Sequence, residues 1–155
     1  MPPLAVSLSE MTGDDLPEVM RIERESFAQP WSESFFEREL ALQFSRTFLA
    51  RARAEDEPGR PALGYVVVWF IADELHVLNL AVAPRHRRRG VGRHLMNRVI
   101  EERAKAGANQ IVLEVRRSGA AAQTLYQSLG FKPVGLRPRY YADNDEDAII
   151  MVREG

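Results

Sequence analysis

The sequence predicts an α/β (α+β) fold built on one central mixed sheet, and three observations lead there. Segments of strand length, rich in β-branched and aromatic residues, alternate with amphipathic stretches of helix length. A strand–helix–strand passage runs from residues 75–83 through a helix opening at Gly90 to residues 111–115, and such a passage calls for a parallel pair. Tight turns such as Ala72-Asp73-Glu74 call for antiparallel neighbours in the same sheet. With 155 residues, 45% hydrophobic and 28% charged, one domain over 1–155 is expected, able to bury roughly 70% of the surface its unfolded chain exposes.

Thr12, Asp14, Asp15 and Pro17 announce the first helix through capping oxygens, first-turn acids and an early proline. Leu16, Val19, Met20, Ile22 and Phe27 supply its apolar face, and Pro30 stops it. Ser32 caps a second helix, with Glu33 in its first turn and Phe35, Phe36 and Leu40 as its buried side. Residues 47–53 alternate as a strand, and residues 55–61 form a polar loop bearing glycine and proline. Residues 63–71, LGYVVVWFI, read as a central strand. The turn at Ala72 leads into residues 75–83, a further strand that Pro84 ends. From Gly90 the period becomes helical, with Val91, Leu95, Val99 and Ile100 inward, until Gly107. Residues 111–115 are a short strand and 118–129 a helix. Phe131 opens a last hairpin that closes on residues 148–152. No internal repeat or linker interrupts this order.

The absence of cysteine excludes disulfides, thiolate nucleophiles and Cys-based zinc sites. A net charge of -1 argues against a nucleic-acid partner. No apolar run approaches the ~20 residues that cross a bilayer, and residues 1–10 lack the flank and core of a signal segment. A soluble cytoplasmic protein without a membrane partner is therefore expected. The acids at 143–147 are expected to form a solvated turn, because no EF-hand glycine and glutamate follow, so no metal is expected. His76 is assigned to packing or surface, and His86 and His94 to solvent.

The stretch 78–95, LNLAVAPRHRRRGVGRHL, carries the first functional signal. A strand runs into Pro84, then an arginine-rich turn, then Gly90, Val91 and Gly92 opening a helix. Orphan N–H groups and the positive dipole end favour an anion there, and Arg87, Arg88, Arg89 and Arg93 add full charges. The spacing is neither GxxxxGK(S/T) nor GxGxxG, which sets aside Walker and dinucleotide loops. A solvated basic face or an import-like basic run is the bland alternative.

Arg87-x-x-Gly90-x-Gly92 resembles the pyrophosphate signature of the GNAT N-acetyltransferase superfamily. That resemblance implies the GNAT fold, a mostly antiparallel sheet of six to seven strands flanked by about four helices. It also implies acetyl-CoA as cosubstrate, its diphosphate held by this loop and its pantetheine arm paired with Leu80, Ala81 and Val82.

Acetyl transfer to an amine needs a base, since an α-amine with pKa ~8 is mostly protonated at neutral pH. The departing thiolate benefits from an acid. Glu114, between Leu113 and Val115, is either an edge-strand charge or a group pointed into a cleft. Tyr126 follows Ala120, Ala121 and Ala122 on a helix, and is either a core tyrosine or a group facing that cleft. Both follow the anion loop and can flank one crevice where strands part.

The runs PWSE, NLAV, RRRGVG, LEVR, TLYQSLGF, RYY and EDAIIM are similar to the bacterial ribosomal-protein alanine N-acetyltransferases. The resemblance makes Glu114 the proton acceptor and Tyr126 the proton donor of a direct ternary-complex transfer. Tyr140, Tyr141 and Trp31 would wall the peptide side, or else serve as core aromatics. The family usually carries asparagine where Gly119 stands, so a backbone amide replaces a side-chain contact to the coenzyme, with Ser118 as helix cap. The implied acceptor is the N-terminal alanine of a ribosomal protein. A lysine or small-molecule amine, and a non-catalytic coenzyme-A-binding module, remain the alternatives.

Overall fold

A computed structural model describes residues 5–53 and 60–155; the loop expected at 55–61 lies, but for its last two residues, outside the described residues. In chain order come β1 (Val6–Glu10), α1 (Leu16–Ser26), α2 (Glu33–Ala41), β2 (Ser45–Ala52), β3 (Ala62–Ile71) and β4 (Glu74–Val82). There follow α3 (Val91–Ala106), β5 (Gln110–Arg116), α4 (Ala120–Ser128), β6 (Lys132–Tyr141) and β7 (Glu146–Glu154). The strands form one sheet in the order β1-β2-β3-β4-β5-β7-β6. Among the described residues only the β4–β5 pair is parallel, as its helical crossover requires. The hairpin β6–β7 folds back so that β7, not β6, lies beside β5.

Alternation along the central strands sends side chains to two cores. Phe48, Ala50, Val66 and Val68 face α3 and α4, meeting Val91, Leu95, Val99 and Tyr126. Leu49, Tyr65 and Val67 face the other way, onto Val19, Met20 and Ile22 of α1 and Phe36 of α2. β3 is buried on both faces over most of its length, which explains its unbroken apolar run.

Two local features open the sheet. The β4–β5 ladder ends at the pair Val77–Leu113. At the same place β4 carries a bulge: Val67 pairs with Asn79 and Val68 with Val77, leaving Leu78 extra. A bulge bends its strand and strengthens its twist, so the far half of β4 stays with β3 and leaves β5. Gly64 makes that continued pairing possible, since a Cβ there would stand 2.6 Å from the Ala81 carbonyl oxygen.

Several expectations change. β1 was not read from the sequence; five half-exposed residues, VSLSE, alternate too briefly to stand out, and pairing with β2 makes them a strand. The strand expected at 47–53 begins at Ser45, and the helix expected at 118–129 spans Ala120–Ser128. On α2, Leu40 is 41% exposed and Glu39 is buried instead. The Glu39 carboxylate is drawn inward because it accepts from Ser45 Oγ at 2.7 Å and Trp69 Nε1 at 2.6 Å. His86 is buried, not solvent-facing, because Pro84–His86 forms a 3-10 turn that tucks the ring under the β4–α3 corner. Among the described residues no helix is long and apolar enough to cross a membrane.

Candidate active site

Where β4 and β5 part, a cleft of about 430 Å³ opens, lined from both strands, from the α1–α2 segment, from α4 and from the β6–β7 hairpin. Of the residues singled out by sequence, Trp31, Leu80, Glu114, Gly119, Tyr126, Tyr140 and Tyr141 all line it. The residues from Arg87 to Arg93, expected to hold the coenzyme diphosphate, do not, and neither do Ala81 and Val82. Ala81 turns into the α1 core, and Val82 is partly buried against the α3 core.

The anion loop sits at the β4–α3 corner. Gly90 adopts a φ of 84° and caps α3 with no side chain near the place its Cβ would take. Helix geometry leaves the first amides of α3 without intrahelical partners, beside Arg88 and Arg89. Gly92 faces inward, its Cβ position 3.4 Å from Leu125 of α4 and 3.9 Å from Val82. Two of the arginines are partly committed elsewhere. Arg87 donates from Nε to the Val82 carbonyl at 3.0 Å and from a guanidinium nitrogen to Ser26 Oγ at 3.3 Å. Arg93 donates to Ser128 Oγ at 2.9 Å, tying α3 to α4.

Glu114 lies on β5 one residue past the last β4–β5 pair, so the parting of the strands exposes its side chain to the cleft. Its Oε1 accepts from Arg137 Nε on β6 at 3.2 Å. Tyr126 projects from α4, only 7% exposed, with its ring against Phe131 at 5.8 Å. Burial, and then the neighbouring Tyr141, push its phenol up to about 12. Tyr141 is likewise pushed up to about 12 by burial, against the pull of Arg116, whose guanidinium lies 4.0 Å from its ring. Tyr140 meets Tyr141 edge-on at 5.1 Å and is 51% exposed. On another part of the lining, the Trp31 ring meets Phe35 at 4.2 Å in a tilted contact.

Gly119 is the N-cap of α4, and Ser118 does not cap it. The Ser118 N–H instead donates to Glu146 Oε2 at 2.6 Å. A Cβ at 119 would stand 3.2 Å from the Arg116 carbonyl oxygen.

The acids at 143–147 lie at an exposed turn, as expected, and basic side chains of the β5–α4 connection reach them. Arg116 reaches Asp143 at 2.9 Å and Glu146 at 3.3 Å, and Arg117 reaches Asp147 at 3.4 Å. Hydrogen bonds from Ser118, Asn144 and Arg116, outweighing desolvation, hold Glu146 down to about 2. Among the described residues no cluster of His, Asp and Glu fits a metal ion.

Two residues of this region escaped sequence reasoning. Glu23 lines the cleft, is 1% exposed and accepts three hydrogen bonds. Its signal was a charge on an apolar helix face, four residues from both Val19 and Phe27. The other, Arg116, ends the LEVR run, and no local pattern announces its partners on the β6–β7 hairpin.

The model of the acetyltransferase (GNAT) family matches residues 16–131. A ribosomal protein bS18-alanine N-acetyltransferase of Escherichia coli K12 is 38% identical over 150 residues, spanning 94% of this chain and 95% of that protein. The crystal structure of the Escherichia coli ribosomal-protein-S18-alanine N-acetyltransferase superposes with a TM-score of 0.85 at 35% identity, covering 97% of this chain and 94% of the other. Arabidopsis thaliana NAA60 in complex with acetyl-CoA shares the fold, with a TM-score of 0.88 at 17% identity over 97% and 98% of the two chains.

Proposed function

This chain belongs to the acetyltransferase (GNAT) family, and we propose that it transfers the acetyl group of acetyl-CoA to the N-terminal amine of a protein, with the N-terminal alanine of a ribosomal protein as its acceptor. Family membership makes it an N-acetyltransferase. The relatives named for bS18 alanine, similar over nearly the whole chain, support the acceptor. One observation carries the chemistry: Glu114 and Tyr126, on separate elements, line the same cleft where β4 and β5 part.

The residues present fit acetyl-CoA. The α3 N-terminus, with Gly90 open to approach and Arg88 and Arg89 alongside, suits a diphosphate. Among the described residues, the edge of β4 that faces β5 has no strand partner from Leu78 to Val82, so its backbone groups, apart from the Val82 carbonyl that Arg87 occupies, are available to a pantetheine amide chain. Gly119 leaves the α4 end of the cleft narrow but unobstructed by a side chain. When bound, the cosubstrate supplies an activated acetyl thioester.

Glu114 takes a proton from the acceptor ammonium, directly or through a water; the neutral amine then forms the new C–N bond as the C–S bond breaks, and the second proton on nitrogen passes to water, balancing the one delivered to sulfur. Arg137 holds Glu114 from a side chain that is 54% exposed, so an incoming ammonium can exchange with it at little cost. Tyr126 remains a phenol throughout the neutral range, so its O–H is present whenever negative charge develops on sulfur. With a pKa of about 12 it stabilises the departing thiolate first as a hydrogen-bond donor, and full proton transfer follows only as that charge matures. Absence of cysteine leaves no acyl-cysteine route, in line with direct transfer.

Steady-state kinetics with acetyl-CoA and an Ala-starting peptide test this. Tyr126→Phe and Glu114→Gln should each lower turnover by about 10²–10⁴-fold while leaving coenzyme affinity near that of the parent protein. Unchanged turnover in either variant would take that residue out of the mechanism, and vigorous activity on a small amine or lysine with none on the peptide would overturn the acceptor.

A further inference from the structure

Glu23 is the buried ionisable group that the transfer chemistry leaves unused. It sits on the apolar face of α1, 1% exposed, among Val19, Met20 and Ile22. A carboxylate so placed is tolerable only if its oxygens are fully occupied, and they are. Oε1 accepts from the Tyr65 hydroxyl of β3 and from the Asn79 amide of β4, the latter at 2.9 Å. Oε2 accepts from the Trp31 backbone N–H at 2.8 Å. Burial, and then the charge of Glu23, push the Tyr65 phenol far above its ordinary value, so that it stays a donor.

These donors come from places that differ in how else they are held. Tyr65 and Asn79 belong to the β3–β4 ladder, which pairs them through their backbones whether or not Glu23 is present. Trp31 belongs to no helix or strand. Together with Phe27, Ala28 and Gln29 it forms one wall of the cleft that Tyr140 and Tyr141 also line. Asn79, for its part, directly follows Leu78, the extra residue of the bulge at which β4 leaves β5. One carboxylate therefore ties a wall that is otherwise held by the side-chain packing of Trp31 and Phe27 to the point where the cleft opens.

We propose that Glu23 is a positioning residue that fixes the α1–α2 wall against the β4 bulge, and so sets how tightly and how selectively the acceptor is held. The inference rests on the acetyl-transfer reading given above. Glu23 acts through Trp31 and the wall, not on the reacting atoms, so its loss should separate acceptor binding from coenzyme binding.

The test compares Glu23→Leu with Glu23→Gln, which keeps one oxygen for the Trp31 N–H. Glu23→Leu should raise the KM of an Ala-starting peptide by about tenfold or more while the KM of acetyl-CoA stays within about twofold. The preference for Ala-starting over bulky-starting peptides should narrow, and Glu23→Gln should recover most of the lost affinity. Hydrogen exchange at the Trp31 amide should quicken in Glu23→Leu and remain slow in Glu23→Gln. If Glu23→Leu does not fold, Tyr65→Phe removes one donor and keeps the ring, and should move the same quantities the same way by less. A rise of both KM values together, or an unchanged Trp31 exchange rate, would overturn the proposal. Exchange and calorimetric peptide binding need no turnover. A parent protein that transfers nothing to peptides would thus sink the acceptor reading while these two measurements still decide on Glu23.

Discussion

One wall of the cleft, the segment between α1 and α2, is fastened by a carboxylate that water does not reach; another wall, the β6–β7 hairpin, is fastened by ion pairs that water does reach. Glu23 is 1% exposed and holds three donors, two on neighbouring strands and one on the α1–α2 connection. Arg116, by contrast, is 35% exposed and grips Asp143 and Glu146 while stacking on Tyr141. Both devices tie acceptor-side residues to the strands beside the cleft. Their physics differs: an unpaired buried donor keeps the full desolvation cost, whereas an exposed partner turns to water. The first wall should therefore fail abruptly and the second yield by degrees.

The largest expected effect is on stability. Glu23→Leu leaves the Tyr65 hydroxyl, the Asn79 amide and the Trp31 N–H without their acceptor, and should cost about 3 kcal/mol in denaturant unfolding at unchanged m. A loss below about 1 kcal/mol would mean that water replaces the carboxylate, and the contrast between the walls would vanish. Arg116→Gln should cost less than about 1 kcal/mol of stability yet raise the peptide KM by roughly fivefold, as the Tyr141 ring loses its support. Raising the salt from about 0.05 to about 0.5 M should reproduce part of that rise, about twofold, in the parent protein and add nothing in Arg116→Gln. Equal salt sensitivity in both would show that the clasp is not what holds the hairpin.

The smallest effect is in the pH dependence, and it separates the two walls again. Glu146 is held down to about 2 from an ordinary 4.5. A depressed carboxylate stabilises above its unfolded value and loses that contribution as pH falls, so the clasp should fade between about pH 4.5 and 2. Tyr126 and Tyr141 are raised from 10.0 to about 12. A raised phenol stabilises fully below its unfolded value and stops doing so as pH rises through the folded one, so stability should fall between pH 10 and 12. Ultraviolet titration of the phenols alongside unfolding curves reads both windows; phenols of Tyr126 and Tyr141 that ionise near 10 would contradict their burial.

Much of the site was legible. Arg87-x-x-Gly90-x-Gly92 after a strand is a local pattern, readable within one turn, whereas Glu114 and Tyr126 stood out through the family resemblance, and the fold brings both to one cleft. Glu23 was not readable, because its partners Tyr65 and Asn79 lie 42 and 56 residues away. His86 looked like a solvent-facing member of a basic run, since nothing local foretells the tuck of its turn. β1 was missed for a related reason: its strand character comes from β2, which pairs it, more than from its own residues.

By itself the sequence determined the kinds and order of most elements and the arginine- and glycine-bearing start of α3. Those follow from periodicity, capping and residue chemistry, which act over a few residues. The tertiary structure alone decided that β7 lies between β5 and β6, that a bulge at Leu78 opens the sheet, and that one wall hangs on a buried charge and the other on exposed ones. These are set by which distant segments exclude water from each other, a property of the packed chain that no local window contains.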